Sequence, residues 1–161
     1  MSEAVHIRRW TWDDFPEICA LFRDVSKDYG KGDLSHYPPA NPVDMYGHWL
    51  RLFSDCAGWV ATRGDKIIGV LALDKTAPEW NSTAVTLVSA CFWVDQNHKQ
   101  GGVASRLLDE GTALAEEMDL PFKIDITMGR EEPDLVDRFM RTKKFKHTGG
   151  LHWYLPSKKA A

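Results

Sequence analysis

The segment from Thr83 to Val94 constrains the fold more than any other part of this sequence. Its second half, LVSACFWV, is apolar at every position except Ser89, so both faces of a strand built from it need cover. A strand that is covered on both faces lies inside a sheet that helices pack against from each side. The sequence therefore predicts an α/β fold with helices on both faces of a sheet.

The flanking segments alternate between strand and helix patterns. Thr11 with Asp14, and Asn41 with Pro42, are helix-start signals, and the polar turn RGDK between two apolar runs indicates a hairpin. The predicted order is β-α-α-β-β-β-α-β-α-β-β, with strands at 5–10, 58–62, 67–73, 83–94, 122–128, 145–147 and 151–155. The apolar spacing of the second helix predicts a buried stripe made of Val43, Tyr46, Trp49, Leu50 and Phe53.

Length and charge restrict the class of protein. A chain of 161 residues is expected to form one domain, 1–161. Its net charge is −3, from 20 Lys and Arg against 23 Asp and Glu, which disfavours a nucleic-acid partner held by phosphate contacts. It shows neither an apolar run of about 18 residues nor a signal-peptide pattern, so we expect a cytoplasmic protein with no membrane partner.

The cysteines point away from a disulfide framework and from a metal centre. Cys19, Cys56 and Cys91 are odd in number, far apart and set among apolar residues, and the six histidines form no ligand motif. We therefore expect reduced thiols and no metal. Cys91 could be read as an acyl nucleophile, but a buried thiol without a neighbouring histidine is more often inert.

The junction between the fourth strand and the next helix, Val94 to Gly111, carries the chemical signal. A glycine-containing turn that opens a helix directs free backbone N–H groups and the positive helix end at one place, which suits a diphosphate. Lys99 adds a positive side chain. The pattern is neither a Walker loop nor a Rossmann fingerprint, and the structural alternative is a tight connection that merely needs glycine.

The spacing Lys99-x-x-Gly102-x-Ala104, followed by Ser-Arg-Leu-Leu, resembles the signature of the GNAT superfamily of N-acetyltransferases, and the element order matches from Val5 to Leu155. The resemblance implies a GNAT-like mixed, mostly antiparallel sheet with about four helices. It implies an acetyl-CoA-dependent N-acyltransferase in which an amine attacks the bound thioester directly. The implied coenzyme contacts are Phe92, Trp93, Val94, Lys99, Gln100, Gly101, Gly102, Val103, Ala104 and Ser105.

The chain departs from the family pattern where catalysis is concerned. Lys99 replaces the usual Arg or Gln, which keeps the charge but loses a bidentate fork. Aligned on Phe145, the chain has Pro133, Met140 and Lys144 where relatives often have Asn, Tyr and Gly. The fourth strand also lacks the glutamate that serves many relatives as general base.

The remaining candidates for catalysis are Asp74, Ser89 and Tyr154, with His152 as a weaker one. Each has a structural alternative: a strand-end turn residue, a core hydroxyl, a sheet-edge tyrosine and a solvated histidine. Two long loops that carry Tyr37 and Trp80 are candidates for the acceptor side. The acceptor is expected to be a small-molecule or protein amine, and the chain a monomer or homodimer. The alternative function is a weakly active or inactive GNAT-fold protein that binds CoA or a protein partner.

Overall fold

The computed structural model describes residues 3–29, 41–77, 81–124 and 133–146. Its order agrees with the predicted one through the last described helix. The predicted strand at 151–155 lies outside the described residues, and residues 145–146 are not in a strand. The elements are β1 (Val5–Arg9), α1 (Phe15–Tyr29), α2 (Pro42–Asp55), β2 (Ala57–Arg63), β3 (Lys66–Thr76), β4 (Thr86–Val94), α3 (Val103–Met118), β5 (Phe122–Lys123) and α4 (Pro133–Thr142), with short 3-10 helices at Trp12–Asp14 and Gln96–Gly101.

The strands form one sheet in the order β1-β2-β3-β4-β5. Every neighbouring pair is antiparallel except β4 and β5, which are parallel. This confirms the mixed, mostly antiparallel sheet that the sequence predicts. None of the described helices has the length and apolarity that crossing a membrane requires.

Helices cover both faces of the sheet. On one face, α1 and α2 contribute Ile18 and Leu52 to a core that includes Val60 and Val70 of the strands. On the other face, α3 contributes Leu107, which packs with Leu71. Both faces of β2 and β3 are therefore buried, whereas β4, which the sequence predicts to be covered on both faces, is only partly buried at every position except Leu87.

N-terminal caps start α1 and α2 at the residues that the sequence predicts. The Asp14 carboxylate accepts the Thr11 N–H at 2.7 Å and both guanidinium Nη groups of Arg8 at 2.7 Å, which ties β1 to the start of α1. Asn41 Oδ1 accepts the Val43 N–H at 2.9 Å, with Pro42 at the first helical position. A cap of this kind stabilises a helix by about 1 kcal/mol.

The predicted apolar stripe of α2 is wrong in three positions. Val43, Tyr46 and Leu50 are 75%, 54% and 43% exposed, whereas Leu52, which the stripe omits, is fully buried beside Trp49 and Phe53. The buried face of the helix is the one on which Leu52 packs with Ile18 of α1 and with Val60 and Val70 of the sheet. Those long-range contacts are invisible to helical periodicity.

Two glycines set how closely α3 approaches the sheet. A Cβ at Gly69 would lie 3.0 Å from side-chain atoms of Leu107 and Val103, and one at Gly111 would lie 2.9 Å from the Phe122 ring. Gly69 is paired with Val94, the last residue of β4. The first turn of α3 is thus held against the end of β4, which fixes the geometry of the junction between them.

Candidate functional site

The connection from β4 to α3 is a short 3-10 helix ended by a left-handed residue. The Asp95 N–H donates to Ile68 O at 2.9 Å, and Gln96–Gly101 then make the 3-10 helix. Gly102 has φ 67° and ψ 13°, a conformation that costs L side chains free energy and that glycine adopts freely. The chain therefore turns sharply at Gly102 and enters α3 at Val103.

This turn leaves backbone donors without acceptors inside α3. The Arg106 N–H donates to Gly102 O at 3.0 Å, so the N–H groups of Val103, Ala104 and Ser105 precede the first intrahelical bond and have no acceptor within the helix. The positive end of the α3 dipole reinforces them. A Cβ built on Gly102 meets no atom of the described residues within 4 Å, so among these residues the space beside the turn is open. These features fit a diphosphate group.

The predicted coenzyme residues are divided between the two sides of this turn. The backbone of Lys99, Gln100 and Gly101 forms the end of the 3-10 helix, and their side chains are not among those described. Ala104 and Ser105 are half-buried in the first turn of α3, and Val103 is buried beneath it. The structure thus brings the predicted turn residues together at one helix N-terminus.

The described pairing of β4 with β5 lies at the end of β4 that is remote from this turn. The parallel pairing of β4 and β5 is confined to Leu87 with Phe122 and Val88 with Lys123. Within the described ranges, residues 90–94 of β4 have no strand partner on that side. An exposed strand edge can pair through its backbone with an extended ligand, and this edge runs up to the turn.

The side chains at the end of β4 are committed to packing. Phe92 and Val94 pack against the α3 core, and Trp93 packs against the α1–α2 core, where its ring lies 5.8 Å from that of Phe22. All three side chains are only partly buried, so this packing covers part of their surface.

A β-bulge decides the direction of Ser89. Leu73 is paired with Ser89 and Ala72 with Cys91, so Ala90 is an extra residue in β4. Directly paired residues share a face of a sheet, and Leu73 packs on the α3 side. Ser89 therefore faces α3, whereas strict alternation from Phe92 would direct it to the opposite face.

Asp74 lies on the other face. It is paired with Val88, and its carboxylate accepts a hydrogen bond from Arg51 Nη1 of α2 at 3.2 Å. The Asp74 side chain keeps 26% of its surface exposed. The candidates Asp74 and Ser89 are thus close along the sheet but belong to opposite faces, and one reacting group cannot contact both from the same side.

The free thiols are not nucleophiles in this environment. Burial raises the pKa of Cys91 to about 12. Burial, aided by the neighbouring Asp74 carboxylate, raises the pKa of Cys56 to about 11. Both thiols are protonated at neutral pH, and no disulfide forms among the described cysteines.

The end of α4 shows how the chain departs from the family pattern. Met140 stands where relatives often carry tyrosine, and it is only 8% exposed. Lys144, at the position of the customary glycine, has φ 64°, and the Phe145 N–H donates to Met140 O at 3.1 Å, as in a Schellman cap. The left-handed conformation is kept while the side chain that could donate a proton is absent from that position. Pro133 begins the helix.

Other predicted site residues lie outside the described residues. These are Tyr154 and His152 near the end of the chain, Tyr37 between α1 and α2, and Trp80 between β3 and β4. Their roles remain predictions. Among the described residues, no group of three or more His, Cys, Asp or Glu side chains is arranged to hold a metal ion.

Sequence reasoning missed the residues that support the turn from the β2–β3 hairpin. Arg63 Nη1 lies 2.9 Å from His98 Nδ1, and Lys66 Nζ lies 3.5 Å from Asp95 Oδ2. The available signal was the turn RGDK, whose two outer residues are cations separated by a two-residue loop. Nothing in that local pattern says which segment the cations contact.

Comparisons with known proteins place the chain among proteins of the same fold. One solved structure of similar fold is a possible acetyltransferase from Clostridium difficile 630, with 14% identity, a TM-score of 0.67 and coverage of 96% of this chain and 99% of that chain. A second is the aminoglycoside acetyltransferase meta-AAC0020 from an uncultured soil metagenomic sample in complex with sisomicin, with 16% identity, a TM-score of 0.65 and coverage of 96% of this chain and 97% of that chain. A third is AAC(6')-Iy in complex with the bisubstrate analog CoA-S-monomethyl-acetylneamine, with 12% identity, a TM-score of 0.69 and coverage of 96% of this chain and 99% of that chain. At these identities the likeness shows the fold.

Sequence comparison supplies the family. No curated protein matches the chain. The sequence model of the acetyltransferase (GNAT) family matches residues 5–131, which include β1, the whole turn between β4 and α3, and β5. The chain therefore belongs to the acetyltransferase (GNAT) family.

Proposed function

We propose that this protein is an acetyl-CoA-dependent N-acetyltransferase in which an amine attacks the bound thioester directly. The observation that carries the proposal is the junction of β4 and α3. There Ala104 and Ser105 of the first turn of α3 follow the open space at Gly102, and residues 90–94 of β4 have no strand partner on the β5 side among the described residues. Membership of the acetyltransferase family supports the same reaction.

The chain's main contribution in this proposal is to hold the two reactants together. The turn binds the diphosphate through backbone N–H groups, and Lys99 adds a positive charge. The backbone of residues 92–94 pairs with the extended arm of the coenzyme and places the thioester near the opening between β4 and β5. Such positioning can lower a barrier by about 7 to 11 kcal/mol, so it can sustain acetyl transfer even where proton transfer is weakly assisted.

Proton transfer is the second requirement. An alkyl amine with an ordinary pKa of about 10.4 must lose a proton before it attacks. We assign Asp74 to the acceptor side, because its partly exposed carboxylate lies on the face of α1 and α2. Ser89 faces α3 and could act only from the opposite side, and Tyr154 stays a proposed general acid. Such groups contribute about 10²- to 10⁴-fold.

The proposed acceptor is a small-molecule or protein amine. The solved structures with sisomicin and with a CoA–acetylneamine analog belong to proteins of the same fold that handle aminoglycosides. Aminoglycosides therefore head the panel of amines to test, followed by polyamines, amino acids and a protein lysate. Tyr37 and Trp80 are proposed to line the acceptor side.

One observation favours a second function. Met140 is buried at the position where relatives often have a tyrosine that protonates the departing thiolate. A chain without that acid could bind the coenzyme and turn over slowly or not at all, serving as a CoA-binding or protein-binding module. Both functions predict coenzyme binding, so only turnover separates them.

The cofactor assignment is tested by calorimetric titration with acetyl-CoA. We expect saturable binding to the wild type and a loss of at least tenfold in affinity for Ala104→Glu, which places a negative charge at the diphosphate site. Ala113→Glu is the matched control, because Ala113 is exposed about 14 Å further along α3. Absence of wild-type binding at millimolar acetyl-CoA, or equal affinities for the two variants, contradicts the assignment.

Turnover then distinguishes the two functions. Thiol release is followed with each amine of the panel at saturating acetyl-CoA. Release that depends on one amine supports the enzyme, and we expect Asp74→Asn to lower its rate by about 10²-fold. Coenzyme binding without release for any amine supports the binding module instead.

A further inference from the structure

Two cationic side chains of the β2–β3 hairpin contact the turn between β4 and α3, residues 95–102, which we call the coenzyme turn. Arg63 and Lys66 are paired across the hairpin, one on each side of its two-residue turn. Arg63 Nη1 contacts His98 Nδ1 at 2.9 Å, and Lys66 Nζ contacts Asp95 Oδ2 at 3.5 Å. Both anchored residues, Asp95 and His98, belong to the connection between β4 and α3.

The donor and the acceptor in the contact between Arg63 and His98 are defined. A guanidinium can only donate hydrogen bonds, so His98 Nδ1 is the acceptor and its hydrogen is carried by Nε2. The His98 N–H in turn donates to Asp95 O at 2.9 Å. His98 lies in the middle of the 3-10 helix, next to Lys99. The bond therefore attaches the centre of the coenzyme turn to the end of β2.

Asp95 is anchored just as firmly at the start of the turn. Its N–H donates to Ile68 O at 2.9 Å, and Ile68 is the extra residue of a bulge between β2 and β3. Its carboxylate accepts the Asn97 N–H at 2.9 Å. Burial acts to raise the pKa of Asp95, but the Asn97 N–H and Lys66 outweigh it, and the pKa is lowered. The turn begins at a carboxylate that stays ionised at neutral pH.

The cost of keeping Arg63 in place argues that it is there for the turn. Its Nε is buried and has no hydrogen-bond partner within the described part of the chain. A buried donor without a partner destabilises a fold. A residue selected only for stability would not leave a buried donor without a partner. A residue whose guanidinium must reach His98 can carry that cost.

We propose that Arg63 is a positioning residue for the coenzyme, acting through its hydrogen bond to His98. The proposal rests on the proposed function, because it takes the turn as the diphosphate site. The bond holds the 3-10 helix against the sheet, so the N–H groups of Val103 to Ser105 point in their binding direction before the coenzyme arrives. Without the bond, the turn has to be ordered on binding, and affinity falls.

The test measures CoA affinity by calorimetry and stability by thermal denaturation. We expect Arg63→Met and His98→Ala each to raise the Kd for CoA about tenfold. This change is at the low end of the loss expected when a hydrogen bond to a charged group is removed. Arg63→Met should leave Tm within about 2 °C of the wild type, because it also removes the unpartnered Nε. Lys75→Met, which removes an exposed positive charge elsewhere on the sheet, should change neither quantity.

Two replacements of His98 separate the hydrogen bond from side-chain bulk. Asparagine places an amide oxygen where Nδ1 lies, and glutamine places its amide group where Nε2 lies. We therefore expect His98→Asn to bind CoA within about threefold of the wild type and His98→Gln to bind as weakly as His98→Ala. The double variant Arg63→Met/His98→Ala should be no weaker than either single variant.

The outcomes separate this inference from the proposed function. If wild-type protein does not bind CoA, the proposed function fails. If the wild type binds CoA and Arg63→Met and His98→Gln bind it as tightly, the positioning role is overturned. Additive losses in the double variant, or a large fall in Tm that accompanies every loss of affinity, also overturn it.

Discussion

Gly102 is the position where a single methyl group should most directly report on the site. Its φ of 67° lies in the left-handed region, and a Cβ there would meet no atom within 4 Å in the described part of the chain. Gly102→Ala therefore introduces backbone strain without any clash in the protein itself. The strain is about 1 to 2 kcal/mol, which for a chain of this size corresponds to a fall in Tm of about 2 to 8 °C.

The same methyl group should weaken coenzyme binding for a separate reason. It would project into the open space beside the N–H groups of the first turn of α3, where we place the diphosphate. We expect the Kd for acetyl-CoA in Gly102→Ala to rise at least tenfold. Thermal denaturation measures the strain, and calorimetric titration measures the binding.

Gly102→Asn separates the two effects. Asparagine tolerates the left-handed conformation better than alanine but also carries a Cβ. We expect this variant to recover most of the lost Tm while it still binds acetyl-CoA weakly. Recovery of both stability and affinity would show that strain alone weakened binding in the alanine variant. Wild-type affinity in both variants would show that the space beside Gly102 is not the coenzyme site.

Three other predictions concern the frame that positions the site. The hydrogen bonds from Arg8 lower the pKa of Asp14 in the folded protein. The ionised Asp14 carboxylate therefore stabilises the fold above its ordinary pKa of about 3.9, and this contribution is lost as pH falls further. In urea unfolding, we expect Asp14→Asn to lower the free energy of unfolding by about 1 to 2 kcal/mol at pH 7 and to equal the wild type near pH 2. Gly69→Val should cost about 1 to 3 kcal/mol by forcing α3 from the sheet, and unchanged urea stability would refute that contact. Iodoacetamide at pH 8 should leave Cys91 unmodified until the protein is unfolded, as peptide mass spectrometry can show.

Local signals in the sequence were sufficient wherever a residue acts on its own segment. Asn41 and Pro42 begin α2 because an N-cap needs only its next few residues. Gly102 could be placed at the start of α3 for the same reason. The buried face of α2 could not be predicted in full, because Leu52 packs with Ile18, Val60 and Val70, which are distant from it in sequence.

The sequence by itself determined the order of elements through α4, the placing of helices on both faces of the sheet and the glycine turn that opens α3. Each of these follows from residue type and periodicity within a short window. Only the tertiary structure decided that Ser89 faces α3 while Asp74 faces α2, because one extra residue at Ala90 reverses the alternation of β4. It also decided that Arg63 contacts His98, a pair 35 residues apart. Strand register and hairpin docking are set by packing across the whole sheet, which no local pattern encodes.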